Sequence, residues 1–163
     1  MKVHIIGGGN LGVAIALGFA NYSTGNQITI TRRNVSQIKH LEANGITVSS
    51  DNTLNIQQAD LIILTIKPYQ VDLVLNEILP DLSNKIIASA VSGLAMETLE
   101  QKTNAAHAIV RIMPNIAAQF AESATCISFS EKNKAAGQQV VELFNHLGTA
   151  LVIEEKLMDA ATV

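Results

Sequence analysis

A doubly wound α/β domain, its mostly parallel sheet covered by helices on both faces, is the fold class this sequence predicts. Three observations predict it. Short apolar runs alternate with helical patterns along the 163 residues, the order that builds parallel strand–helix–strand units. Runs such as Leu61-Ile62-Ile63-Leu64 and Ile86-Ile87-Ala88 are continuously apolar rather than alternating, as strands buried on both faces are. The first strand runs straight into Gly7-Gly8-Gly9-Asn10-Leu11-Gly12, a Gly-x-Gly-x-x-Gly turn that opens a helix. In that context the turn is a dinucleotide-binding signature of the Rossmann type.

The elements follow in order. Strands are predicted at 2–6, 27–31, 46–48, 61–66, 85–89, 107–112, 124–129 and 149–153, with either direction open for the last two. Helices are predicted at 10–22, 35–44, 53–58, 69–79, 94–102 and 131–147, and a last one begins near 157. The first helix is apolar nearly all round, which predicts enclosure by the sheet on one side and a further element on the other. Gly18 inside it costs about 1 kcal/mol relative to Ala, an expense consistent with close packing. The closing stretch Glu154–Val163 starts a helix and stops, so the chain reads as residues 1–155 of one domain followed by residues 156–163 of a cut second one.

Composition narrows the class. Hydrophobic residues are 48% and charged residues 15% of the chain, an apolar excess that points to surface covered by a partner or a further segment. A net charge of −3 gives no reason to expect nucleic acid or an anionic membrane as partner. Cys126 is the single cysteine, read as buried in a strand; it excludes an internal disulfide and fits a reducing cytoplasm. No secretory leader pattern and no apolar run of about 18 residues is present.

The candidate site is read at the strand ends. Gly7 permits the tight turn, Gly9 lets the backbone approach a pyrophosphate, and Gly12 lets the helix pack on the strand. Backbone N–H groups around Asn10 and Leu11 then meet the anion with the helix dipole behind them. The second strand ends Thr31-Arg32-Arg33-Asn34, where an NAD site carries a carboxylate. Two guanidinium groups suit a 2′-phosphate, so NADP(H) is expected over NAD(H). Thr65-Ile66-Lys67-Pro68 follows the fourth strand at the same edge; Pro68 suits a helix start, and Lys67 faces a phosphate or solvent. Asn52 caps a helix or reaches the adenosine ribose, with capping the default. Asn115, leaving a strand in Arg111-Ile112-Met113-Pro114-Asn115, offers a donor and acceptors to a nicotinamide amide or a substrate, though spacing alone makes it a loop residue. His4 reads as a satisfied core histidine. His40 and His146 fall on helices and His107 at a strand start; no Cys/His cluster has metal-ligand spacing, and no Ser/His/Asp arrangement stands out.

Several of these segments together resemble the amino-terminal half of pyrroline-5-carboxylate reductase. They are Ile5–Gly12, Asn52 eight residues before Asp60, Ile66-Lys67-Pro68, Ser89–Leu94, Arg111–Asn115 and Leu157–Thr162. The resemblance covers the whole chain in order. It implies an NADP-binding Rossmann domain, a following helical domain that dimerises and completes the substrate pocket, and hydride transfer from the nicotinamide to a small-molecule cyclic imine, giving L-proline. The full-length protein is then expected to be a homodimer or larger, and the isolated chain to bind cofactor with little or no turnover. Ile116-Ala117 stand where the family has Thr-Pro, Ser123 where it has a glycine, and Ser92-Gly93 where it has Ala-Gly. These departures lie on the nicotinamide and substrate side. A related imine or carbonyl reductase with another substrate, or a non-catalytic NADP-binding module, stays open beside this reading. No catalytic residue is nominated.

Overall fold

A computed structural model describes residues 1–162. Eight strands form one sheet: β1 (Lys2–Ile6), β2 (Gln27–Thr31), β3 (Thr47–Ser49), β4 (Leu61–Leu64), β5 (Ile86–Ser89), β6 (Ala108–Met113), β7 (Ser123–Phe129) and β8 (Gly148–Val152). Their order across the sheet is β3-β2-β1-β4-β5-β6-β7-β8. The first six strands run parallel; β7 is antiparallel to β6, and β8 is parallel to β7. The question left open for the last two strands is thereby settled: both run against the rest. The order reverses between β1 and β4, the switch point where doubly wound sheets leave a crevice at the carboxyl ends.

Alternate side chains divide the core. Val3, Ile5, Ile28, Ile30, Leu61 and Ile63 face helices α1 (Asn10–Tyr22) and α4 (Lys134–Phe144). Ile6, Ile62, Leu64, Ile87 and Ile109 face α2 (Val71–Ile78) and α3 (Met96–Lys102). Continuous apolar strands supply both faces at once, which is why they do not alternate. The element enclosing α1 from outside is the 3-10 segment Ile116–Phe120. A Cβ at Gly18 would run into the Ala118 carbonyl oxygen, so the glycine is what lets these two backbones touch. Phe19 and Phe144 close this layer edge to face, with ring centroids 5.4 Å apart.

Several expected helices are shorter or tighter. Residues 35–44 form 3-10 turns at Val35–Gln37 and Lys39–Asn44, and 53–58 contributes only Ile56–Gln58. Each has too few residues to offset helix nucleation, and the chain instead drops Ile38, Leu41 and Ile56 fully into the core. The fourth strand stops at Leu64 rather than 66; Thr65 turns its hydroxyl onto the Gly7 carbonyl just past β1. Among the described residues no α-helix runs on from 157; 3-10 turns occupy Glu155–Leu157 and Ala160–Thr162, the former straddling the expected 155/156 boundary. Val163 lies outside the described residues. Cys126 does sit on β7 but is half-buried. The apolar excess surfaces at Tyr69, Leu73, Ile116 and Phe120, all largely exposed. Among the described residues no helix is long and apolar enough to cross a membrane.

Candidate functional site: an open cleft at the switch point

Register places the site. Ile6 pairs with both Thr31 and Leu64, so Gly7, Arg32 and Thr65 leave the sheet side by side although they are far apart in sequence. Gly7 turns with φ +114°, and a Cβ there would meet the Thr65 carbonyl oxygen at 2.6 Å; only glycine fits. The Gly7 and Gly8 N–H groups both donate to the Thr31 carbonyl, at 3.2 and 2.8 Å. The Thr65 hydroxyl donates to the Gly7 carbonyl at 2.7 Å. A Cβ at Gly12 would strike the Gly7 carbonyl oxygen as well. The turn is thus clamped from β2, β4 and α1 together.

What the clamp leaves open is the start of α1. Its first backbone bond is Val13 N–H to the Gly9 carbonyl, so the N–H groups of Asn10, Leu11 and Gly12 have no intrahelical acceptor. Among the described residues no side chain caps this end and no acid occupies the first turn. A Cβ at Gly9 would meet nothing within 4 Å. Free donors, a helix dipole and open space in front of a glycine make a cradle of the size and polarity that a pyrophosphate fills.

The cleft itself encloses about 510 Å³, within the range of small-molecule sites. Of the residues expected at the site, Gly7, Gly9, Thr31, Arg32, Arg33, Asn52, Thr65, Ile66 and Lys67 line it. Asn10, Leu11 and Gly12 sit behind the turn on α1, and Pro68 opens the 3-10 turn before α2. Lys67 donates its backbone N–H to the Gln70 side chain at 3.0 Å. The opposite wall is α2 and the turn before it, through Gln70, Leu73, Val74 and Glu77, a set the sequence reading missed. Their i, i+3, i+4, i+7 spacing after Lys67-Pro68 was the available signal.

The two arginines differ. Arg32 donates to the Gly8 carbonyl at 2.5 Å, bracing the turn, whereas Arg33 is exposed and makes no hydrogen bond or ion pair among the described residues. Asn52 departs from its default role, since no helix starts there. Its Oδ1 accepts from the Thr31 hydroxyl at 2.6 Å, and its Nδ2 donates to Glu77 at 2.8 Å. Asp51 holds the local turn instead, and hydrogen bonds from Thr53 keep its carboxyl below the usual range. Asn115 lies at the same sheet edge but outside the cleft lining. Its Oδ1 caps the 116–120 turn at Ala117 N, 2.9 Å away, and its Nδ2 reaches the Ala124 carbonyl at 3.5 Å.

His4 is not a satisfied core residue. It is 1% exposed, and its Nε2 is buried without a hydrogen-bond partner among the described residues. Burial pushes its pKa down to about 4, against the pull of Asp51 and the Asn52 backbone. Burial and Lys85 likewise lower His107, whose Nδ1 accepts from Lys85 N at 3.2 Å. Among the described residues no group of three His, Cys, Asp or Glu side chains is placed to hold a metal.

Fold and cleft define a dinucleotide-binding domain of the Rossmann class. Residues 2–93 match the family model described as NADP oxidoreductase, coenzyme F420-dependent, and the chain belongs to that family. It also resembles the amino-terminal part of pyrroline-5-carboxylate reductases along its whole length. Over 98% of this chain it is 34% identical to pyrroline-5-carboxylate reductase 1 of Dictyostelium discoideum, and over 99% it is 34% identical to the Methanosarcina acetivorans enzyme. The chain spans 32% and 62% of those two proteins. A solved pyrroline carboxylate reductase of Plasmodium falciparum with NADP bound superposes with a TM-score of 0.82 at 27% identity, covering 99% of this chain and 61% of that one. An imine reductase of Bacillus cereus, TM-score 0.76 at 21% identity, shares the fold.

Proposed function

We propose that this chain is the NADP(H)-binding domain of a reductase that converts the cyclic imine pyrroline-5-carboxylate to L-proline. The observation that carries the reading is the open cradle at the switch point in a chain that resembles these reductases from end to end. Gly7, Gly9 and Gly12 shape the turn, and Asn10 and Leu11 present backbone donors to the pyrophosphate. Thr31 and Asn52 serve the adenosine ribose, Arg33 the 2′-phosphate, and Arg32 the turn that both depend on. Thr65, Ile66, Lys67 and Pro68 form the cleft wall leading from the phosphates towards the nicotinamide, and Asn115 marks the nicotinamide end. When bound, the cofactor supplies the hydride; the residues here hold and orient it. The relatives are longer than this chain, so turnover, the substrate pocket and a homodimeric or larger assembly belong in our reading to the remainder of such a protein, residues 156–163 leading towards it. A cytoplasmic setting fits the single cysteine.

Fluorescence titration of the 163-residue chain with NADPH and NADH tests this. Tighter NADPH binding is expected, together with negligible reduction of pyrroline-5-carboxylate. Equal affinities would sink the 2′-phosphate assignment, and reduction at ordinary enzymatic rates would sink the division of labour. A second substrate within the same reaction class is favoured by Ile116, Ala117, Ser123 and Ser92, which depart from the family on the substrate side. Profiling imines and carbonyls with a full-length protein separates the two. A chain that binds NADPH in a protein reducing neither class would point to a non-catalytic module.

A further inference from the structure

The wall that the sequence reading missed carries one side chain with a specific task. Thr31, Asn52 and Glu77 form a hydrogen-bonded chain spanning the cleft from the end of β2 to the outer face of α2. Glu77, ionised, can only accept. It therefore draws the Asn52 amide nitrogen towards itself and leaves Oδ1 to the Thr31 hydroxyl; the flipped amide would put two acceptors against each other. With one Nδ2 hydrogen and one Oδ1 lone pair remaining, the oriented amide can accept from the 3′-hydroxyl of an adenosine ribose and donate to its 2′ oxygen, a hydroxyl in NADH or a phosphate ester in NADPH. An NAD site places a carboxylate at the end of the second strand for this purpose. Here that position holds Arg32, and the carboxylate comes from α2 instead.

We propose that Glu77 is a positioning residue for the adenosine ribose, acting through the Asn52 amide; the proposal rests on the dinucleotide reading above. It serves NADPH and NADH alike, because both keep the 3′-hydroxyl and both carry an acceptor oxygen at the 2′ position, and it acts independently of Arg33. Glu77 is exposed on α2 and contributes nothing to the core, so its replacement leaves the fold standing.

The test is direct fluorescence titration of the chain with NADPH and NADH, with thermal melts alongside. E77A is expected to weaken both cofactors about five- to tenfold, a charge-assisted bond discounted for solvent exposure, with no change in melting temperature. E77Q keeps an acceptor for Nδ2 and is expected to recover at least half of that loss on a logarithmic scale. In an N52A background, E77A is expected to have no further effect. The proposal is overturned if E77A binds like wild type, if E77Q is as weak as E77A, or if E77A costs as much without Asn52 as with it. Wild-type chain that binds neither dinucleotide overturns the underlying reading instead, and the proposal with it.

Discussion

Where β1, β2 and β4 end, backbone donors stand open to a ligand; where β5 and β6 end, the polar groups already satisfy one another. At the first place the helix start is uncapped, Gly9 faces open space, and Arg33 has no partner among the described residues. At the second, Arg111 is only 4% exposed and pairs with Glu155 at 3.4 Å and Asp159 at 3.0 Å. Glu155 also accepts from the Met96 N–H at the start of α3, 2.6 Å away, and Met158 beside it is fully buried. One sheet edge therefore carries two kinds of helix start. That of α1 is open, while that of α3 is filled by a carboxylate of the chain itself. Unsatisfied donors are costly when buried; those of α1 face open space, where water or a ligand can accept from them.

Gly12→Ala should break this contrast most severely. Its Cβ strikes the Gly7 carbonyl and comes within 2.7 Å of the Thr65 hydroxyl. We expect a loss of about 3 kcal/mol in stability and of measurable NADPH binding, read by denaturant unfolding and titration; unaltered binding would show that the clamp is dispensable. Acid should act on the same open half through His4, which lies close to Asp51 and the Asn52 backbone. The folded pKa of about 4 lies below the ordinary 6.5, so the unfolded chain binds the proton first. Stability is then full above about pH 6.5 and falls as pH drops towards 4, by about 3 kcal/mol at pH 4. Unfolding followed between pH 7 and 4 should show this, and His4→Gln should flatten that limb; an unchanged slope would remove His4 as its cause.

The filled half responds differently. Glu155→Ala leaves Arg111 with Asp159 alone and uncaps α3; we expect about 2 kcal/mol of destabilisation with NADPH affinity unchanged. A parallel loss of affinity would mean the two halves are coupled. The smallest effect falls to the two arginines. Arg33→Ala should weaken NADPH about tenfold and leave NADH alone, a charge-assisted contact reduced by exposure. Arg32→Ala should weaken both, because Arg32 braces the Gly8 carbonyl rather than standing free. Selective loss on Arg32→Ala would reverse their roles.

Much of this was legible in local pattern. The strand segments, the glycine turn with its opening helix, and the line-up of Arg32, Thr65 and Lys67 at strand ends follow from periodicity and chemistry within a few residues. The short 3-10 turns at 35–44 and 53–58 were misread as helices, because the i, i+3 spacing of Ile38 and Leu41 and the apolar Ile56 record burial and not helix length. Of the two roles open to Asn52, the default as a cap fails: a cap needs a helix behind it, and the side chain bonds Thr31 and Glu77 instead. His4 looked satisfied because nothing in an apolar strand tells whether a partner waits across the sheet.

The chain by itself determined the alternation of strand and helix, the glycine turn and the positive charge after β2, since each depends on residues adjacent in sequence. Only tertiary structure decided that β7 and β8 reverse, that the two arginines divide into brace and free cation, and that α2 supplies the far wall of the cleft. Those outcomes rest on pairings between residues distant along the chain, as for Met113 with Cys126, Arg32 with Gly8 or Asn52 with Glu77. Register and packing set such pairings, and no local pattern encodes them.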